Sequence, residues 1–330
     1  MPTLKQKKKA LANPQSAAGV TLVGWRGVTV EVPEDWSPTA VSGEGASGYV
    51  RIASPDTRVL EIKWEEARGS KADVPRALAR YVKTLERAAR KARQTLVWRE
   101  RPKQLSAIRP QRQRPIPYAW EAGRKAYGCI WQCQECNRLV IAELVGEPGD
   151  DLSLAPAILR SIQEHGENSW TTWALYGFAV DAPSRFALEG KILRTGHQCL
   201  QFRERTRSIQ ADRWGLASVV LRSVDLKDWF LSQQGGRLNR YRYQFEEAEV
   251  NGHPALRLWG PERPLPGLMR ALGALFSFSW PAWWIRGYVW ACPQANKIFA
   301  ITSTERKRDQ LAEQVVGRMR CHEASGAQSC

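Results

Sequence analysis

The chain has 330 residues, of which 43% are hydrophobic and 25% charged, and it carries a net charge of +16 at pH 7. This length fills one large domain or two of ordinary size, and the balance excludes disordered, collagen-like and disulfide-scaffold chains. No apolar run of about twenty residues occurs, and the basic Met1–Lys9 start lacks the apolar stretch of a secretory signal, so the expected location is the cytoplasm.

Residues 1–17 read as a basic tail containing Lys5, Lys7, Lys8 and Lys9. Val28, Val30 and Val32 then alternate with polar residues, the period of a half-buried strand that Pro33 ends. Tyr49–Ala53 and Val59–Trp64 read as a strand pair around the turn formers Ser54-Pro55-Asp56-Thr57. A helix is predicted next. Asp73 suits its N-cap and Pro75 its first turn, while Val74, Leu78, Tyr81, Val82, Leu85 and Ala89 share a face. The opposite face carries Arg76, Arg80, Lys83, Arg87, Arg90 and Lys91. Arg99–Arg114 is rich in Pro, Gln and Arg and includes Arg109, Arg112 and Arg114. Gly128–Cys133 and Arg138–Leu144 predict a hairpin, and Leu154–His165 a short closing helix.

The second half repeats the first. A shift of 150 residues places Gly27–Pro33 on Gly177–Pro183, Trp36 on Phe186, Ile52 on Phe202 and Trp64 on Trp214. At a shift of 159, Gly128, Trp131, Cys133 and Asn137 fall on Gly287, Trp290, Cys292 and Asn296. Ile162 and His165 resemble Met319 and His322 at 157. We therefore divide the chain into a tail (1–17), a first repeat (18–168), a second repeat (169–324) and a C-terminal tail (325–330). Strands grouped between helices predict an α+β fold in which each repeat packs an antiparallel sheet with helices.

The order of a Gly-x-x-Val-x-x-Pro strand with Trp or Phe three residues on, a hairpin, a helix, Trp-x-Cys with Asn-Arg or Asn-Lys, a strand and a helix resembles the PsbP-like family. That family includes the photosystem extrinsic subunit and a small Ran-binding nuclear transport protein. The resemblance implies a tandem α/β/α sandwich and, because known members are mostly docking modules, a binding role.

Few motifs point to chemistry. Cys129, Cys133 and Cys136 have the spacing of an iron–sulfur ligand set, but they lie on a predicted hairpin, not in a loop of a β/α barrel. A zinc ion on these cysteines is the alternative to our favoured reading, small buried thiols packed beside Trp131, with no cofactor. Gly43-Glu-Gly45-Ala-Ser-Gly48 matches a dinucleotide fingerprint in letters, yet a strand follows where a helix is needed, so it reads as a hairpin loop. No Gly-x-Ser-x-Gly or His-Glu-x-x-His occurs, and the four histidines are scattered, His165 and His322 at helix ends. We expect no enzyme.

Two surfaces remain. Between Arg76 and Lys125 fifteen Lys and Arg face three acids, a net +12, and with the four N-terminal lysines this accounts for the chain's +16. Such a footprint suits an anionic macromolecule or the acidic face of a larger protein assembly. The second surface is Leu265–Ile285, with Phe276 and Phe278 and, among the fifteen tryptophans of the chain, Trp280, Trp283 and Trp284. It reads as a buried cover, an interface with a partner or a second copy of the chain, or a segment dipping into a lipid surface. The expected function is a non-enzymatic interaction protein or scaffold. A nucleic-acid-binding accessory protein and a peripheral membrane-surface protein are the alternatives.

Overall fold

The computed structural model describes residues 19–43, 47–67, 73–106, 108, 115–166, 169–263 and 283–321. The first half runs β1 (Val20–Trp25), β2 (Val28–Pro33), β3 (Ser37–Ser42), β4 (Gly48–Ala53), β5 (Val59–Glu66), α1 (Val74–Lys91), β6 (Val97–Glu100), β7 (Ile116–Ala122), β8 (Arg124–Gln132), β9 (Arg138–Gly146) and α2 (Ala155–Ser161). The second runs β10 (Trp170–Leu175), β11 (Phe178–Pro183), β12 (Ala187–Arg194), β13 (His197–Glu204), β14 (Arg207–Gly215), α3 (Ala217–Val220), α4 (Leu226–Leu238), β15 (Gln244–Val250), β16 (His253–Pro261), β17 (Trp283–Cys292), β18 (Lys297–Arg306) and α5 (Leu311–Val316).

Seven strands of each half form one sheet, in the order β3-β4-β5-β9-β8-β7-β6 and, with the same connections, β12-β13-β14-β18-β17-β16-β15. The remaining hairpins join into a shared four-stranded sheet, β11-β10-β1-β2. At its centre Gly24 pairs with Ala174, its own counterpart at the shift of 150, so a local twofold axis passes between the halves there. A Cβ on Gly24 would lie 3.0 Å from the Thr29 methyl, 3.2 Å from the Ala174 nitrogen and 3.3 Å from its Cβ, so a side chain there would crowd the crossing point.

The α+β sandwich of helix-packed sheets implied by the PsbP-like resemblance is not what forms. The protein is mostly β, in three antiparallel sheets with few helices. Val97–Glu100, Ala187–Arg194 and Gln244–Val250 are strands that lengthen the sheets, and α2, α3 and α5 are only seven, four and six residues long. The main core therefore lies between sheets. Val30, Trp25, Trp173 and Val180 of the shared sheet meet Ile52, Leu60, Phe202 and Phe299 of the two large ones. On the outer faces α1 covers a small cluster around Tyr118 and Ile130, and α4 covers a larger one around Trp214 and Ile298.

One pairing read from the sequence lands on opposite faces. Ala53 pairs with Val59, whereas the equivalent Arg203 pairs with Ser208, one residue sooner. A single-residue slip reverses every side chain of a strand. Trp64 consequently joins the core between the sheets, while Trp214 faces outward beneath α4, edge-on to Trp229 at 5.0 Å.

Candidate binding surface on helix α1

The sequence makes α1 strongly two-sided. The Asp73 carboxylate accepts the Arg76 N–H at 2.9 Å to cap the helix, and Arg90 and Lys91 sit in the last turn, where cations complement the helix dipole. Ala77, Leu78 and Ala89 are buried; Arg76, Arg80, Lys83, Arg87, Arg90 and Lys91 are all exposed. At 3.6 residues per turn these six cations fall within an arc of about 100° and form a stripe about 22 Å long. Among the described residues none of the six makes an ion pair. Arg109, Arg112 and Arg114, expected to extend this surface, lie outside the described residues.

A buried carboxylate fixes the helix to the sheet. Glu143 accepts the Tyr81 hydroxyl of α1 at 2.7 Å, the Tyr118 hydroxyl at 3.2 Å and the Trp120 indole N–H at 3.1 Å. Burial pushes the Glu143 carboxyl above its usual range against the hydrogen bonds from Tyr81 and Trp120, and burial together with Glu143 raises both tyrosines. Tyr118 stacks on Trp98 at 4.8 Å, and Gly128 leaves room for its ring, which a Cβ there would overlap. Beside this network, Tyr49 and Lys63 both donate to Glu61 at 3.0 Å; burial and Glu61 push the Tyr49 hydroxyl up to about 12. Between α1 and the sheet runs an open cleft of about 280 Å³, with Arg80 and Lys63 at its rim and Ile130, Leu139 and Ile141 on its floor. Sequence reasoning missed Glu143, whose only sequence signal is a carboxylate within the apolar run from Leu139 to Val145.

The aromatic surface is placed only in part. Trp283 and Trp284 begin β17, half-buried and paired across the ladder with Arg306 and Glu305. Trp284 stacks on Trp259 at 5.9 Å, with the Lys307 ammonium 5.2 Å from its ring centre. Phe276, Phe278 and Trp280 lie outside the described residues.

The structure separates the three cysteines. Cys129 and Cys133 share a face of the β8 strand path, but four residues along a strand span about 13 Å, too far to share an ion. Cys129 is buried in the core, where burial pushes its thiol well up. Cys133 and Cys136 instead converge on His165, with donor atoms within 4.8 Å of one another. A hydrogen bond from Cys136 holds the Cys133 thiol down at about 5. Among the described residues two other sets meet the same distance, His253 with Cys292 and Cys321, and His197 with Cys199 and Asp212. In the last set His197 lies 2.9 Å from Asp212, but Cys199 is 1% exposed and burial pushes its thiol up, so it is a poor nucleophile.

No protein-family model matches the chain, and no curated protein does. Among solved structures, the immunity protein TplEi of T6SS from Pseudomonas aeruginosa, complexed with an "L" peptide, aligns over 93% of this chain and 99% of its own. The TM-score is 0.35 and the identity 10%, a likeness that carries no functional argument. No helix among the described residues is long and apolar enough to cross a membrane.

Proposed function

We propose that the chain is a non-catalytic binding module that docks an acidic, partly apolar protein segment along α1. The observation that carries this reading is the stripe of six exposed cations without ion pairs among the described residues, on a helix fixed to a rigid sheet. Unpaired guanidinium groups in one row favour carboxylates, which accept from arginine in a bidentate fork. The cleft beside the stripe has an apolar floor at Ile130, Leu139 and Ile141, which suits apolar side chains of the same segment. A groove for single-stranded nucleic acid adds exposed rings for bases to stack on. Tyr81, the aromatic residue of α1, turns its hydroxyl inward to Glu143 instead.

The test is charge reversal. A partner isolated on the wild-type protein is titrated against wild type and an Arg80→Glu, Arg87→Glu, Arg90→Glu variant, with a short DNA duplex as a second probe. At least about tenfold weaker partner binding is expected, since three contacts of about 1 kcal/mol are each inverted. Unchanged partner affinity, or tight duplex binding that falls steeply with salt, would overturn the reading.

A further inference from the structure

The hairpin tip between β8 and β9 has the backbone of a metal knuckle. Cys133 directly follows β8, Cys136 lies in the turn, and Asn137 follows in the left-handed region at φ 56°. The backbone N–H groups of Glu135 and Cys136 both point at the Cys133 sulfur, and the Cys133 N–H closes the turn on the Arg138 carbonyl at 2.8 Å. Two N–H groups turned onto the first sulfur of a Cys-x-x-Cys hairpin orient and stabilise a thiolate ligand, as outer-shell donors do at metal centres.

His165 enters from the segment after α2, more than twenty residues along the chain. Its Nδ1 lies 3.1 Å from the Gly166 carbonyl, which as an acceptor fixes the proton on Nδ1 and leaves the Nε2 lone pair available to a ligand. Glu135, on the hairpin tip, holds its Oε2 3.4 Å from that Nε2. A tetrahedral zinc ion with bonds of about 2.0–2.1 Å to nitrogen and oxygen separates two such ligands by about 3.3 Å. The donor set is two thiols and one oriented imidazole, with the Glu135 carboxylate beside the imidazole, a composition that selects a borderline-soft divalent ion.

The second repeat builds the same knuckle. Cys292 is the counterpart of Cys133, its sulfur accepts the Ala295 N–H at 3.4 Å, and Asn296 again has a positive φ of 50°. Ala295 stands where Cys136 would be, and Cys321, from the segment after α5, brings a second sulfur to Cys292 together with His253. Two different sequences thus assemble two sulfurs and an imidazole at one place in the fold.

We propose that Cys133, Cys136 and His165 form a structural zinc site that staples the β8–β9 hairpin to the segment joining the two repeats. Arg138 marks the same junction, donating to the Arg26 carbonyl at 3.0 Å and the Glu164 carbonyl at 2.6 Å.

The full chain, purified without chelator, is analysed for zinc and, after metal removal, titrated with cobalt(II), whose thiolate charge-transfer and tetrahedral d–d bands report the ligand set. Cys136→Ser and His165→Ala are compared with Cys129→Ser, which alters a buried thiol outside the cluster. Wild type should hold one more equivalent of zinc than either Cys136→Ser or His165→Ala, with cobalt bound at least about tenfold more weakly in both. Cys129→Ser should keep the bands. Equal metal content in wild type and both site variants, or a wild-type chain that gives no thiolate–cobalt bands, would overturn the proposal; either variant alone suffices if the other does not fold.

Discussion

Helices α1 and α4 cover the same face of two sheets with the same strand order, yet they direct their charges oppositely. In the second repeat Arg237 turns inward, donating to Gln210 at 2.9 Å and Thr302 at 2.7 Å, and Trp229 and Phe230 are buried beside it. In the first, the carboxylate comes from the sheet: Glu143, the counterpart of Thr302, accepts the helix hydroxyl of Tyr81, and six cations of α1 face outward. The scaffold needs one polar contact between helix and sheet, and both repeats supply it. The cationic stripe has no counterpart on α4, whose only cations are Lys227 and Arg237.

The largest difference between the two anchors should appear when each is cut. Glu143→Ala leaves two buried hydroxyls and an indole N–H without their acceptor, and should cost about 3 kcal/mol in chemical unfolding. Thr302→Val, at the equivalent place, should cost about 1 kcal/mol, because Arg237 keeps Gln210. Equal losses would break the comparison.

A second contrast lies under the closing helices. Glu305 is fully buried, 3.0 Å from Arg286, and accepts the Leu311 N–H at 2.5 Å to start α5, whereas the first repeat has Gly146 at that place. Burial pushes its carboxyl up to about 7. A carboxyl raised on folding favours the native state below its unfolded value, and that contribution is lost as pH rises toward 7. Glu305→Gln removes the titration. Its stability relative to wild type should therefore increase by about 2 kcal/mol between pH 5 and pH 8 in paired denaturation curves. A difference independent of pH would show that Glu305 does not titrate in this range.

The smallest stability effect is expected at the stripe itself. Arg80→Glu with Arg87→Glu and Arg90→Glu should change unfolding free energy by no more than about 0.5 kcal/mol, since these groups are exposed and make no ion pair among the described residues. A loss of several kcal/mol would make them structural.

Much of the first repeat was legible because its signals are local. Alternation at Val28, Val30 and Val32 marks β2, and Asp73, Pro75 and the apolar positions from Val74 to Ala89 mark α1 almost to the residue. The sheets as wholes were not legible. Val97–Glu100 is a short strand with one half-buried and three exposed positions, so no hydrophobic period announces it. The face of Trp214 depends on one residue in the preceding hairpin, which ungapped alignment cannot register. The cationic stripe follows from helical geometry alone, but Glu143 depends on Tyr81, Tyr118 and Trp120 converging from α1 and β7 onto β9. His165 likewise joins Cys133 and Cys136 only through the path of the chain after α2. Spacing suggested Cys129 in its place because a line of sequence does not show how far apart strand residues stand.

The central claim, that α1 receives an acidic protein segment, is tested most directly by placing a photo-crosslinking amino acid at Lys83, in the middle of the stripe, and another at Lys227 on α4. Irradiation in native extract followed by sequencing of the crosslinked peptides identifies what lies against each helix. The account predicts one recurrent peptide at position 83, rich in Asp and Glu with interspersed apolar residues, absent at position 227 and lost when Arg80, Arg87 and Arg90 are reversed. Crosslinks from position 83 to nucleic acid or lipid, or a basic or neutral peptide that survives the reversal, would contradict it.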